Sequence, residues 1–513
     1  MGRFKLTPLA KKIVFGVVAI GVVGGLAVGG VFSKAKDDLK NVFKGKSEDE
    51  MYAQVETIEK EEGTINISLD EWIGWKSIID ANGGLKTQKG SIYDKLGLKV
   101  NISVINDATQ SSNALIKGDL DGAGYTVNRY AFLYNKFTEN NTPVKMGFIT
   151  NTSTGGDGII AKADIKKVED LVGKTVGVPR YSEAQTLVEW LLQKSTLTDA
   201  QIAEIRNNMV YFDTPDDCAK AFFAGELDAA ATWEPYLSQA TGLTDARVMF
   251  STKDATNIVL DGIVFRQDFM EKNPEVVSKL LEGALMARDM YMTETKAIKN
   301  TFPMFATADD QEIFDMAKNA TLYNNASNIE ALNKNGAAQT LFADMSDIWS
   351  SLGESADRKN ASKAFDASFA EGLEDKFPDE DVQTVEFTQE QLEEAKAQDN
   401  NNALLTTRLT INFAPDSTQI QSDSFDALVE FANTAKVLDG VVIQIEGNTA
   451  KVPGDDGIDF SRRRAESVVQ FLKTQGLDPS RFVVIGNGDT KPVSDTDDTL
   501  NRRTDIYFKV VGR

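Results

Sequence analysis

The sequence predicts an α/β protein with two folded units, a larger two-lobed one and a smaller α/β sandwich, behind one N-terminal transmembrane helix. Three observations carry this. An uncharged apolar run extends from Ile13 to Phe32. Strand-like and helix-like segments alternate from residue 64 to about residue 375. Inside that region one pattern is written twice, as "NALIKGDLDGAGYT" (113–126) and "KAFFAGELDAAATW" (220–233).

The apolar run matches the ~20 residues that a bilayer-spanning helix needs. Arg3, Lys5, Lys11 and Lys12 precede it and Asp37 and Asp38 follow. The positive-inside rule then places residues 1–33 as a cytoplasmic tip and anchor, with the rest of the chain outside the inner membrane. A cleaved signal peptide is the competing reading, but the run is long for one. Gly21, Gly25 and Gly29 form a tandem GxxxG ridge that suits a homodimer. The bland alternative is that small residues are common in membrane helices. Residues 34–62 are densely charged and read as a solvated stalk.

Composition removes several functions. Net charge is −22, which argues against nucleic acid as a partner. Histidine is absent, so Ser-His-Asp triads and His-ligated metals are excluded. The single Cys218 excludes CxxC redox motifs and internal disulfides. No catalytic constellation emerges, so a non-enzyme without cofactor or metal is expected.

From residue 63 to 376, "TINISL", "LKVNISVI" and "KTVGVP" read as strands, and "SEAQTLVEWLLQK" as a helix with Leu187, Trp190 and Leu191 inward. Alternating β and α argues a mostly parallel sheet. In each repeat copy a helix stops at Gly118 or Gly225, since glycine suits the left-handed position after a helix end. The chain then enters a short buried strand that delivers Tyr125-Thr126 or Trp233-Glu234 to the carboxyl edge of a sheet. Open α/β sheets bind ligands at that edge. Two copies imply two lobes with a cleft between them. Candidate ligand contacts are Trp72 and Trp75 after the first strand, Tyr125, Thr126, Asn151 and Thr152 of "NTSTGG", Tyr181, Ser182, Trp233 and Glu234. Trp72 and Trp75 could equally be core aromatics. Ser182 with Gln185 fits a capping box, which is a sufficient structural reason for that serine. Glu234 would repel a pure oxyanion. Either it pairs with Arg129, Arg180 or Arg266, or the ligand carries an amine or amide donor.

The pieces "EWIGW", "GDLDGAGYT", "GGDGIIAKADIKKVEDLVGKTVGVP", "GELDAAATWEPYL" and "FRQDFMEKNPEVVSKLLEGA" together resemble periplasmic substrate-binding proteins of ABC importers, in the nitrate, sulfonate, taurine and thiamine-precursor group. That resemblance implies a clamshell closing on one small polar solute, with an ABC permease or an envelope sensor as partner. The alternative is a structural tether in which the clamshell is a ligand-free spacer.

Residues 377–402 are acid-rich and read as a linker. From 403 to 513 the order is β-α-β-α-β-β. One helix is expected to bury Phe425, Leu428, Val429 and Ala432. The other buries Ala465, Val468, Val469 and Leu472 and stops at Gly476. "INFAPDS", "IEGNT", "FSRRRAESVVQFL", "GNGDTKP" and "NRRTDIYF" resemble the OmpA-like peptidoglycan-binding domain. In that family an Asp and an Arg clamp the diamino acid of the peptide stem. Arg464 matches the Arg. Ala450 stands at the Asp position, Asn448 at the family's His and Gly457 at its Asn. Asp455 or Asp456 are candidates for the missing carboxylate.

Overall fold

The computed structural model of the protein describes residues 63–378, 385–414, 416–451 and 457–512. The expected anchor, its glycine ridge, the stalk, Asp455 and Asp456 lie outside them. Among the described residues no helix is long and apolar enough to cross a membrane.

The first lobe is a six-stranded sheet in the order β11-β4-β10-β3-β1-β2. Its strands are β1 (Ile65–Leu69), β2 (Val100–Val104), β3 (Gly122–Thr126), β4 (Val144–Ser153), β10 (Leu260–Arg266) and β11 (Ala320–Leu322). The second lobe is a five-stranded sheet in the order β7-β6-β8-β5-β9. It contains β5 (Asp157–Lys162), β6 (Val176–Pro179), β7 (Met209–Phe212), β8 (Ala229–Trp233) and β9 (Ala246–Ser251).

The repeat does the same work in both lobes. Helix α1 (Ala108–Lys117) ends at Gly118 with φ 83°, and its counterpart in the second lobe (Pro215–Phe223) is followed by Gly225 with φ 80°. Asp121 then accepts the backbone N–H of Asn66 at 2.9 Å, and Asp228 that of Thr175 at 2.9 Å. Each aspartate ties the entry of its strand to the parallel neighbour, β1 or β6. Leu120 and Leu227 are buried beneath these turns. The repetition is thus a twice-used way to turn a helix into a central strand.

The chain passes between lobes twice, from β4 to β5 and from β9 to β10. The crossings lie side by side. The Gly155 N–H donates to Thr252 Oγ1 at 2.8 Å, and the Ser153 N–H to the Val259 carbonyl at 3.0 Å. Behind them, α2 (Val127–Glu139) meets α3 (Glu183–Lys194) of the other lobe. Asn128 Nδ2 donates to Thr186 Oγ1 at 2.9 Å and to the Ile258 carbonyl at 3.0 Å. In α3, Leu187, Trp190 and Leu191 are buried as their spacing predicts.

The C-terminal sheet has the order β12-β15-β13-β14, from β12 (Leu405–Leu409), β13 (Val442–Asn448), β14 (Phe482–Gly488) and β15 (Thr504–Lys509). Part of the expected linker is helical. Gln389–Ala397 forms a helix packed on this sheet, where Lys509 Nζ donates to the carbonyls of Ala395 at 2.9 Å and Gln398 at 2.8 Å. Phe387 and Leu392 cover Val442 and Val483, so two apolar side chains suffice to dock an otherwise acidic stretch. The face of the Phe425–Val437 helix also differs from expectation. Leu428, Phe431, Ala432 and Ala435 are buried, whereas Phe425 and Val429 are exposed; Phe425 stacks on Phe471 at 5.1 Å. In the helix Ile458–Thr474 the expected four side chains are buried.

This domain touches the crossover. Asp439 accepts the Thr256 N–H at 3.1 Å, the Thr256 hydroxyl and Asn257 Nδ2 at 3.0 Å.

Candidate functional site

Strand register sets the geometry of the cleft. Thr126 at the end of β3 lies opposite Asp261 in β10, and Trp233 at the end of β8 lies opposite Asp157 in β5. The two aspartates occupy equivalent places, one per lobe. Each is followed by a glycine for the same reason. A Cβ on Gly158 would sit 2.5 Å from the Phe250 carbonyl oxygen, and one on Gly262 2.5 Å from that of Phe148. "DGII" (157–160) and "DGIV" (261–264) therefore form a second internal repeat, which sequence reasoning missed although it was visible. Asp70, directly after β1, and Glu183, the first residue of α3, complete the group.

Electrostatics set this group apart. Burial pushes Asp70 up to about 6; the Trp75 hydrogen bond and Arg129 oppose the rise, and Glu183 adds to it. Burial, then the Glu183 carboxylate, pushes Asp157 up to about 7. Asp261 is raised well above the carboxylate range by burial and then by Asp70, Asp157 and Glu183. These acids sense one another across the two lobes. Arg129, in the first turn of α2, bonds Glu183 through Nη2 at 3.1 Å.

The expected contacts separate into three sets. Trp72 borders the cleft: its Nε1 donates to Asn151 Oδ1 at 3.0 Å, and a Cβ on Gly156 would collide with its ring. Thr126 stands at the cleft edge but caps α2, accepting the Arg129 N–H at 3.1 Å. Trp233 is half-buried, with Nε1 on Asp216 Oδ1 at 2.9 Å. Asn151 is buried behind Trp72, and Thr152 donates to carbonyls of the second crossing, Val259 at 3.2 Å and Thr256.

Three expected contacts, Trp75, Tyr125 and Tyr181, are corrected; Ser182 takes the capping role its spacing offered, and Glu234 loses one of its two alternatives. Trp75 is 1% exposed and packs in the first lobe's core, its Nε1 holding Asp70 Oδ1 at 2.5 Å. Tyr125 points inward, because strand alternation gives the edge to Thr126; its hydroxyl meets Ser111 Oγ at 2.7 Å. Tyr181, with φ 54°, stacks on Phe132 of the other lobe at 4.9 Å. Ser182 caps α3, accepting the Gln185 N–H at 3.2 Å, while Gln185 Oε1 takes the Tyr181 N–H at 2.7 Å. Glu234 pairs with none of the three expected arginines. It accepts the N–H of Ser238 at 3.1 Å and its hydroxyl at 2.9 Å, which cap the Tyr236–Thr241 helix; burial raises its carboxyl. Arg129 is taken by Glu183, Arg180 lies over the Tyr211 ring and Arg266 pairs with Asp268.

In the C-terminal domain Arg464 lies against Phe413 at 4.7 Å and Phe460 at 4.3 Å, and its Nε donates to the Ser417 carbonyl at 3.0 Å. Burial lowers its pKa and Arg502 adds to that effect. Asn448 is a buried network residue instead of a surface contact. Its Nδ2 reaches Asp505 Oδ2 at 3.2 Å, and its Oδ1 accepts Asn487 Nδ2 at 3.1 Å. Among the described residues no cluster of His, Cys, Asp or Glu could hold a metal ion.

Residues 87–296 match the family described as NMT1/THI5 like, and residues 412–505 match the OmpA family. A curated relative, the taurine-binding periplasmic protein of Escherichia coli (strain K12), is 27% identical over 153 residues, which cover 29% of this chain and 45% of that protein. Similar solved structures include the periplasmic aliphatic sulphonate binding protein SsuA from Escherichia coli, with 17% identity, 59% of this chain and 97% of that chain covered, and a TM-score of 0.45. The periplasmic nitrate-binding protein NrtA from Synechocystis PCC 6803 gives 12% identity, 62% and 90% coverage, and a TM-score of 0.44.

Proposed function

We propose that the chain is an extracytoplasmic solute-binding protein that closes two lobes on one small polar ligand. Residues 13–32 tether it to the inner membrane, and the C-terminal domain attaches it to peptidoglycan. An ABC permease is the partner that a binding-protein domain of this kind would serve. The observation that carries the reading is the pair of matched sheet edges across the double crossover, with Asp157 opposite Trp233 and Asp261 opposite Thr126. Native mass spectrometry of the full chain, purified without added ligand, is the test. A retained small molecule is expected, and restoring it to stripped protein at a hundred times its dissociation constant should stabilise the fold by ~2.7 kcal/mol. The spacer alternative draws on the contact of Asp439 with the crossover loop, which would hold the lobes in one setting. Protein that retains nothing and responds to no solute favours the spacer.

Wall attachment rests on the OmpA-family match and on Arg464, whose guanidinium suits a stem carboxylate. Full-length protein should sediment with purified peptidoglycan sacculi, and Arg464→Ala should reduce that binding. Binding unchanged in the variant would remove Arg464 from the contact.

A further inference from the structure

We propose that the cleft takes an organic cation, a small solute bearing a primary ammonium or guanidinium group that is received between Asp261 and Asp157. This rests on the solute-binding reading above and names the chemistry of its ligand.

The first observation is placement. Asp157 and Asp261 lie at the starts of equivalent strands of the two lobes, first in β5 and second in β10, and stand opposite the two repeat ends. A solute between the lobes meets one carboxylate from each side, so closure brings both to the same group. Asp70 and Glu183 flank them.

The second observation is independent of the acid count. Asp261 is 3% exposed, and among the described residues its Oδ2 has no hydrogen-bond partner. A buried carboxylate oxygen without a donor is costly, and native folds rarely leave one without a functional reason. The oxygen sits at the cleft edge, bordered by the Trp72 indole. The Trp72 indole gives the carboxylate one neutral hydrogen bond, which leaves Oδ2 without a donor, and an ammonium or guanidinium N–H is a strong one.

The third observation is that the guanidinium nearest these acids is engaged, while Lys253, packed over Gly155 at the crossing, acts on Glu234. Arg129 bonds Glu183 at 3.1 Å. Lys76, buried in the first lobe, is held by Asp80 at 2.5 Å and by the Met290 carbonyl at 3.0 Å. Arg266 pairs with Asp268 at 3.0 Å. Four carboxylates thus face one guanidinium that already serves one of them. An oxyanion brought there meets net repulsion, and a cation meets net attraction in a partly desolvated setting, where charges act strongly. A metal ion is the other cation to weigh. The carboxylates are not clustered closely enough to chelate one. Donors spread over two lobes fit an extended organic cation, whose N–H groups reach several oxygens at once. The aromatic ring of Trp72 adds a face suited to a cation or its alkyl chain.

The raised carboxyls agree. Burial holds Asp70 and Asp157 above the ordinary carboxylate range, and the Trp75 and Ser153 hydrogen bonds and Arg129 offset it only in part. A bound cation would draw them into the ionised form.

The test is a melting-temperature and calorimetric titration of the full chain, stripped of ligand, with four probes: putrescine, agmatine, nitrate and ethanesulfonate. Putrescine or agmatine should raise the melting temperature, and nitrate and ethanesulfonate should not. Asp261→Asn, nearly isosteric, should weaken the responding amine at least ~10-fold, the loss expected for one charge-assisted bond. Asp157→Asn should do the same from the other lobe, which guards against a folding defect in either variant. Binding of nitrate or ethanesulfonate without either amine overturns the cation assignment and leaves solute capture standing. Equal amine binding by wild type and both variants overturns it as well. No response to any probe, with nothing retained on purification, overturns solute capture and this inference with it.

Discussion

In the cleft, Asp70, Asp157, Asp261 and Glu183 face a single guanidinium. In the C-terminal sheet, the equally buried Glu446 and Asp505 are fully met. Glu446 accepts Lys491 Nζ at 2.8 Å, Asn487 Nδ2 at 2.6 Å, and Asn400 Nδ2 and Gln444 Nε2 at 2.7 Å each. Asp505 accepts Arg408 Nε at 2.9 Å and Asn448 Nδ2 at 3.2 Å. Burial is common to both places, yet Asp70, Asp157 and Asp261 are raised whereas Glu446 is lowered. Burial and mutual repulsion lift Asp70, Asp157 and Asp261. Lys491 and the amides hold Glu446 below its ordinary value despite the burial. Donors, not depth, separate a carboxylate that holds a fold together from one that awaits a partner. That contrast supports the proposed use of the cleft and leaves the C-terminal network a structural one.

The largest expected effect comes from pH. Asp157 titrates at 3.8 when unfolded and at about 7 when folded, so the folded state binds the proton more tightly. Its contribution is neutral below about pH 4, turns increasingly unfavourable as pH rises toward 7, and is constant above that. Asp157→Asn should therefore stabilise the ligand-free binding domain at pH 8 by up to ~4 kcal/mol, at one pKa unit per ~1.4 kcal/mol. All five tryptophans of the chain, Trp72, Trp75, Trp190, Trp233 and Trp349, lie in this domain, so tryptophan fluorescence in urea reads it selectively. A variant less stable than wild type at pH 8 would show that Asp157 is compensated and would erase the contrast.

Glu446→Ala should act in the opposite direction. It removes the centre of a satisfied network and leaves Lys491 and three amides without their acceptor. A loss of ~3 kcal/mol is expected, the scale for breaking one side of a buried pair. Faster hydrogen exchange along β13 and β15 would report it. The wild-type contribution is present above the unfolded carboxyl's pKa of 4.5 and is lost as pH falls through the lower folded value. Acidification from pH 8 to 5 should thus leave this domain unchanged while it firms the cleft. Parallel responses would mean the two sets of acids are not built differently.

Much of the fold was legible because it rests on local rules. Gly118 and Gly225 stop helices, Leu120 and Leu227 anchor turns, and the spacing of Leu187, Trp190 and Leu191 fixes a buried face. The site was less so. Large aromatics drew attention to Trp75 and Tyr125, but strand alternation and a five-residue return to Asp70 put them in the core. Asp157 and Asp261 carry no local mark that sets them apart in the sequence. Only antiparallel pairing, which joins positions 76 and 135 residues apart, brings them opposite Trp233 and Thr126. Their shared D-G-I pattern was the available signal. The helix Gln389–Ala397 was hidden by its acidity, since Phe387 and Leu392 are too few to give a clear period.

The smallest effect belongs to a third carboxylate, between the two extremes. Asp439 is buried, and its carboxyl is raised by that burial, but it meets donors: the Thr256 N–H and hydroxyl and Asn257 Nδ2, all on the second crossover. Arg481, buried beside it, is spent on backbone carbonyls, among them Ala435 at 2.9 Å. Neutral donors offset the burial only in part, so this contact should contribute about 1 kcal/mol, the net value of ordinary hydrogen bonds. Asp439→Ala should leave the core of each domain intact and weaken the grip of the C-terminal domain on residues 252–259. Hydrogen exchange confined to that loop should quicken by ~5-fold, the equivalent of ~1 kcal/mol. The ligand then separates two uses of the contact. If the domain only rests on the crossover, the solute's dissociation constant is the same in wild type and variant. If the lobes must shift the crossover to close, freeing it tightens the solute by the same ~5-fold, because binding affinity and docking are linked reciprocally. Unchanged exchange in the loop would show that Asp439 does not hold the two domains together.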